Sequence, residues 1–342
     1  MKKLSLLFAS VFVSAFIFSI GANGQQRDPL ITRTFQATTI KAAEVITSGG
    51  SINLNGDAGS QAVVEVFVSR DNWPVARIKQ TLEENYIIDI KVENGKLYVE
   101  AKQKSNFNQS RQGLNISFKI SVPKQVNSNL RTSGGSIRIG NLSGSHDFKT
   151  SGGSITVDNV SGNINGQTSG GSVNVKNAHD NIDLKTSGGS ITASDCSGKI
   201  NLVTSGGSVT IRNLNGNINA TTSGGSITAS NIQGTLKTGT SGGSMRLNGI
   251  SGNVDARTSG GSMTVEVVSV SEYVKLSNSG SLSLSLPAGH GYNLNVRANR
   301  IETSGLADFR GNTSSTNLEG TVGRGGALIE VRTSQRVSLS FR

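Results

Sequence analysis

A single cysteine, Cys196, stands in 342 residues. No internal disulfide and no cysteine-based zinc or iron–sulfur site can form, so stability must come from packing. Prolines number only 4, aromatic residues make up 5% and charged residues 16% of the chain. So low a charge excludes a long coiled coil and a charged disordered tail. Beyond residue 20 no apolar run approaches the ~18 residues of a membrane-spanning helix. The three histidines, His146, His179 and His290, fit no H-E-x-x-H or similar metal spacing. The net charge of +11 is spread along the chain without a basic block or interleaved aromatics. A nucleic-acid partner, which would need a concentrated patch, is therefore not expected.

What the chain has in excess is glycine, 43 residues. That is well above the usual ~7% and far below the one-third of collagen. Hydrophobic residues reach only 34%, too few for one bulky core at this length and better suited to a thin core drawn out along a repeat.

The N-terminus reads as an export signal. Met1-Lys2-Lys3 supplies positive charge, residues 4–20 are almost wholly apolar, and Ala22-Asn23-Gly24 offers a small-residue cleavage site. Residues 1–24 are expected to be removed. No cysteine follows the apolar run, so no lipid attachment is expected, and the mature chain should carry no transmembrane segment.

The string Thr-Ser-Gly-Gly-Ser begins at Thr132, Thr150, Thr168, Thr186, Thr204, Thr222, Thr240 and Thr258, always 18 residues apart, with an outlying copy at Thr47. Fixed-period repetition marks a solenoid. Counting Thr as position 1, positions 6 and 8 are apolar (Ile155 and Val157; Ile191 and Ala193) and alternate with polar residues. Positions 15 and 17 repeat the alternation, and position 11 is apolar from Leu142 to Val268. A period of two means strand. Each unit therefore reads as two short strands, turned by Ser-Gly-Gly on one side and Asn-x-Ser-Gly on the other, with glycine supplying positive φ at the corners. Stacked at ~4.8 Å, such units form parallel sheets around a continuous apolar column. The fold expected is all-β, a single-chain β-solenoid (β-helix) with 18-residue coils.

Four regions follow: a signal peptide over 1–24, N-terminal strands and an irregular cap over 25–131, regular repeats over 132–265, and degenerate coils with a C-terminal cap over 266–342. The cap carries strand-like runs at 62–68, 86–92, 96–101 and 116–122, with a hairpin signal at Asn94-Gly95. In the last region Asn278-Ser279-Gly280-Ser281 is a shifted copy of the repeat, Thr303-Ser304-Gly305 reads as a weaker one, and residues 333–341 as a closing strand.

These T-S-G-G-S-[IV]-x-[VA] units behind an export signal resemble a bacterial family of exported β-solenoid domains called putative adhesins, related to the head domain of autotransporter adhesins. The resemblance covers about residues 35–342. It implies a binding role and brings no catalytic residues.

The residues themselves point the same way. His146 sits in an Ile/Leu/Val column and Cys196 in the position-11 column, both read as core. Asp147 and Asp183 recur two coils apart at the outward position 16, about 9.6 Å by strand spacing, the outer limit for an inverting glycosidase pair. Asn165 lies between them, and the pattern favours a solvated ladder neutralised by lysine. The outward position 7 carries Thr156, Asn174, Thr192, Thr210, Thr228 and Thr264, interrupted by Arg246 and preceded by Arg138. This row is the candidate binding surface, suited to sugar hydroxyls or another surface. No cofactor or metal is expected. The reading is an exported, non-enzymatic adhesion or binding scaffold of the periplasm or cell surface, its partner an envelope or extracellular polysaccharide or a surface protein. The alternative is a polysaccharide-acting β-helix enzyme.

Overall fold

The computed structural model describes residues 28–104 and 113–342; the expected signal segment lies outside them. Almost all regular structure is strand, joined into one continuous sheet of 24 strands wound around a single apolar core. The chain is a β-solenoid.

In the repeats the pairing is parallel. Ile155 lies beside Val173, Val157 beside Val175 and Ile164 beside Ile182, each an interval of 18 residues. The columns at positions 6, 8 and 15 are buried, from Ile155 and Val157 to Ile227 and Leu236. Each such side chain gains roughly 1.5–3 kcal/mol on leaving water. Position 17 packs by complementary size. Phe148 reaches over Gly166, where an added Cβ would lie 2.1 Å from its ring.

The coil is not two short strands. Ile155–Thr168 is a single bent strand, as are most of its neighbours; only one coil breaks, into Ile191–Ser194 and Ser197–Thr204. The bend comes from left-handed residues at position 10 (Asn141, Asn159, Asn177, Asp195, Asn213, Asn231) and at position 13, a glycine except for Asp180. Because every coil bends at the same place, pairing continues across the corner.

The Ser-Gly-Gly corner works differently from the expectation. Its glycines do not have positive φ. The second glycine is required for closeness: a Cβ on Gly171 would fall 2.1 Å from the Gly153 carbonyl oxygen, whereas one on Gly170 would meet nothing nearer than 3.6 Å. Into this contact leans the threonine of position 1, which is buried. Thr168 Oγ1 donates to Gly153 O of the coil before at 2.7 Å and accepts from Gly171 N at 3.3 Å.

This corner also shows where the irregular regions belong. Thr132 Oγ1 donates to Gly50 O at 2.8 Å across 82 residues, so the outlying copy at Thr47 is the next rung of the same ladder. Ile52–Asn55 pairs with both Asn115–Ser121 and Ile137–Lys149. The intervening chain holds the predicted hairpin, Tyr86–Glu93 with Lys96–Gln103, turned by Asn94 and Gly95 at φ 49° and 77°. It also holds an unforeseen α-helix, Val75–Asn85, whose Ile78, Thr81 and Leu82 are buried. The signal was Pro74 ahead of apolar residues at 75, 78 and 82.

At the other end Asn278 pairs with Thr258, and Thr333 with Asn278. Thr333 Oγ1 donates to Gly280 O at 2.6 Å, so the ladder resumes there. Thr303 is no corner: it lies opposite Leu339, in the strand itself. Nor does the last strand close the molecule. Arg336–Phe341 is inserted between Leu282–Leu286 and Arg300–Ser304. Val268 is likewise outside the position-11 column. A register shift puts Val267 opposite Ile250, leaving Val267 4% and Val268 58% exposed.

The close approach gives a paired prediction. Gly171→Ala should destabilise by about 2–3 kcal/mol or more, the cost of forced overpacking, while Gly170→Ala should stay within about 1 kcal/mol. Denaturant midpoints compare them, and equal losses would contradict the contact.

Candidate functional site

Strand pairing brings the outward threonines into one row. Thr156 neighbours Arg138 and Asn174, Asn174 neighbours Thr192, then Thr210, Thr228, Arg246 and Thr264 follow in order. Neighbouring side chains recur at about 4.8 Å. None of Thr156, Asn174, Thr192, Thr210, Thr228 and Thr264 makes a side-chain hydrogen bond within the described residues, and all are half-buried or exposed. The corner threonines spend their hydroxyls on the fold; the row leaves its hydroxyls to a ligand or to water.

Where this face meets the bend, the position-10 side chains form a second ladder. Asn159 Nδ2 donates to Asn141 Oδ1 at 2.7 Å, Asn213 Nδ2 to Asp195 Oδ1 at 2.9 Å and Asn231 Nδ2 to Asn213 Oδ1 at 3.1 Å. The amide of Asn213 holds the Asp195 carboxyl below its ordinary value. The ladder stops at Gly249, which keeps the left-handed φ of 67° without a side chain. A concavity of 480 Å³ opens there, lined by Asn213, Asn231, Gln233 and Ser251 and flanked by the exposed Val268. Sequence reasoning missed it. Its trace is a glycine replacing Asn or Asp in the position-10 column.

The acidic ladder holds no free carboxyl pair. Asp147 accepts from Arg131 at 3.1 Å and from Asn165 at 2.7 Å. Asp183 accepts from Lys185 at 2.8 Å and Asn201 at 2.7 Å. Both oxygens of each carboxylate are engaged, and Asn165 stands between the two. Among the described residues no three His, Cys, Asp or Glu side chains are grouped to hold a metal.

Cys196 is buried, with Sγ donating to Ser194 O at 3.1 Å. Burial pushes its thiol up to about 11, so it has little thiolate near neutrality. His179 lies 2.9 Å from Ser197 Oγ on the surface and His290 bonds Ala288 O in a loop, far apart in sequence and fold. His146 is 1% exposed. Its Nδ1 lies 2.9 Å from Ser128 Oγ, and its Nε2 has no partner.

No protein-family profile matches the chain, and no curated protein matches it significantly. Solved structures do. One is described as a putative cell adhesion protein from Clostridium sporogenes ATCC 15579, 10% identical over 91% of this chain and 98% of that one, TM-score 0.20. Another is described as a putative adhesin from Bacteroides fragilis NCTC 9343, 12% identical over 91% and 96%, TM-score 0.27. No helix among the described residues is long and apolar enough to cross a membrane.

His146 gives a pH prediction. Burial lowers its pKa from 6.5 to about 4. On acidification the unfolded chain takes the proton first. Stability from the neutral imidazole is therefore full above about pH 6.5, falls as the pH drops toward 4, and falls no further below that. The total is of the order of 3 kcal/mol. Urea midpoints at pH 7.5 and 4.5 should converge when His146→Leu restores the column's residue type. An unchanged difference would contradict the assignment.

Proposed function

We propose that the protein is an exported, non-enzymatic β-solenoid that serves as an adhesion or binding scaffold of the periplasm or cell surface. The observation that carries this reading is the row from Thr156 to Thr264, held at strand spacing with side chains that make no hydrogen bond within the described residues, beside Asn and Asp columns that bond to one another. A ligand with regularly repeated hydroxyls, such as an envelope or extracellular polysaccharide, suits such a row, because fixed partners cost little ordering entropy on binding. A surface protein presenting polar groups at similar spacing is the other partner this face suits. The apolar run at residues 4–20 supports export.

A lyase or hydrolase reading has no specific support, since both oxygens of Asp147 and of Asp183 are already taken.

The test is retention of intact cells, peptidoglycan and extracellular polysaccharide on immobilised protein. Retention on at least one material is expected. A double variant, Thr192→Glu with Thr210→Glu, should weaken it at least about tenfold, or 1.4 kcal/mol, with a stability change within about 1 kcal/mol for two surface substitutions. No retention on any material would overturn the proposal, and retention untouched by the double variant would move the contact off this face.

A further inference from the structure

A solenoid ends in open strand edges, and among the described residues four strands are edges. Three are short or polar: Ile31–Gln36, Arg300–Ser304 and Phe309–Thr313. The fourth, Tyr86–Glu93, is the longest at 8 residues. Among the described residues only Lys96–Gln103 pairs with it. Its inward side chains Ile88, Ile90 and Val92 lie opposite Ala101, Val99 and Leu97, which are buried. The three continue that apolar face by one strand but remain only partly covered. Long edges with an apolar face invite pairing.

The hydrogen-bond phase of this edge is fixed. A two-residue turn at Asn94-Gly95 makes Glu93 and Lys96 a bonded pair, so the odd residues turn their backbone groups toward Lys96–Gln103. The bond from Lys104 N to Asn85 O agrees with this phase. Ile88, Ile90 and Val92 therefore direct N–H and C=O outward.

We propose that this edge is a homodimer interface, in which two copies pair Tyr86–Glu93 antiparallel about a two-fold axis at Ile90. The outward backbone groups require even residues to face even residues, so the axis must pass through a residue; at Asp89 or Lys91 that residue would meet its own like charge. At Ile90 the inward faces match, Ile88 meeting Val92 of the second copy and Ile90 meeting itself. On the outer face Asp89 meets Lys91 of the second copy and Lys91 meets Asp89. Within one copy Lys91 already lies 3.4 Å from Asp89 and 3.2 Å from Glu93, so the charges are in place on that face. A centre at Val92 would run into the Asn94-Gly95 turn, and one at Ile88 would leave Lys91 facing Asn85. Opposite charges directly across an antiparallel pair stabilise it and like charges destabilise it. Closure about the two-fold leaves no further edge on this face, so association stops at two. The inference does not depend on the adhesion reading, since the edge lies outside the threonine row.

Sedimentation velocity of the purified protein tests it. A reversible monomer–dimer equilibrium is expected within about 1–100 µM, the range for an interface at the small end of the size scale. Ile90→Pro should abolish it, because proline removes the outward N–H, and an edge strand tolerates proline at such a position. Asp89→Lys alone should weaken dimerisation at least tenfold, and so should Lys91→Asp alone, since each sets like charges opposite each other twice. The two together should return it to within threefold. Circular dichroism and melting confirm that each variant is folded. A folded Ile90→Pro variant that still dimerises, a wild-type chain that stays monomeric throughout the range, or a double variant no better than the singles would overturn the proposal.

Discussion

The structure depends on one contact: the corner threonine hydroxyl reaching the carbonyl of the second glycine in the coil before. Alone it is worth about 1 kcal/mol. Its importance lies in what it requires. The backbones approach so closely that a Cβ on that glycine would lie 1.9–2.4 Å from the carbonyl oxygen below, from Gly50 through Gly261. Threonine, buried at the corner, then satisfies a donor and an acceptor there. The Thr-Ser-Gly-Gly string is thus a steric and hydrogen-bonding unit, and its repetition fixes where each coil starts. Once the starts coincide, the apolar columns coincide, since a one-residue slip would turn them outward.

The same contact accounts for the chain's tolerance of irregular segments. Helix Val75–Asn85 and the Asn94-Gly95 hairpin leave and return between rungs that remain stacked, with Thr132 on Gly50. The C-terminal strands do likewise, with Thr333 on Gly280. Polar groups divide accordingly. Corner threonines and the Asn ladder serve the scaffold, and the row at position 7 makes no side-chain hydrogen bond within the described residues.

Much of this was legible in the sequence. Strict periodicity revealed the solenoid and the inward columns, because burial selects Ile and Val wherever a side chain faces the axis. The inward role of the corner threonine was not, since Thr is equally at home on an exposed strand. At the Ser-Gly-Gly corner the reason for glycine was misjudged for a related cause, since positive φ and lack of room select the same residue, whereas at the Asn-x-Ser-Gly corner the expected positive φ is found. Thr303-Ser304-Gly305 copied the string without its stacking partner. The register shift at Val267 and the concavity at Gly249 depend on a neighbouring coil's length, which no single column shows. The outward row was visible as a pattern, but only the hydrogen-bond inventory separates its free hydroxyls from the saturated ones.

The most direct test of the central claim is removal of one rung. Deleting Thr168–Lys185 joins Gln167 to Thr186, so the next threonine meets a glycine carbonyl in register and every column is kept. The protein should stay soluble, with a β-type circular dichroism spectrum and a cooperative melt, because solenoid contacts are mostly between neighbours. Deleting only Thr168–Lys176 removes a corner without the rest of its coil and should cause aggregation or a much lower melt. Equal behaviour of the two deletions would contradict the coil as the structural unit.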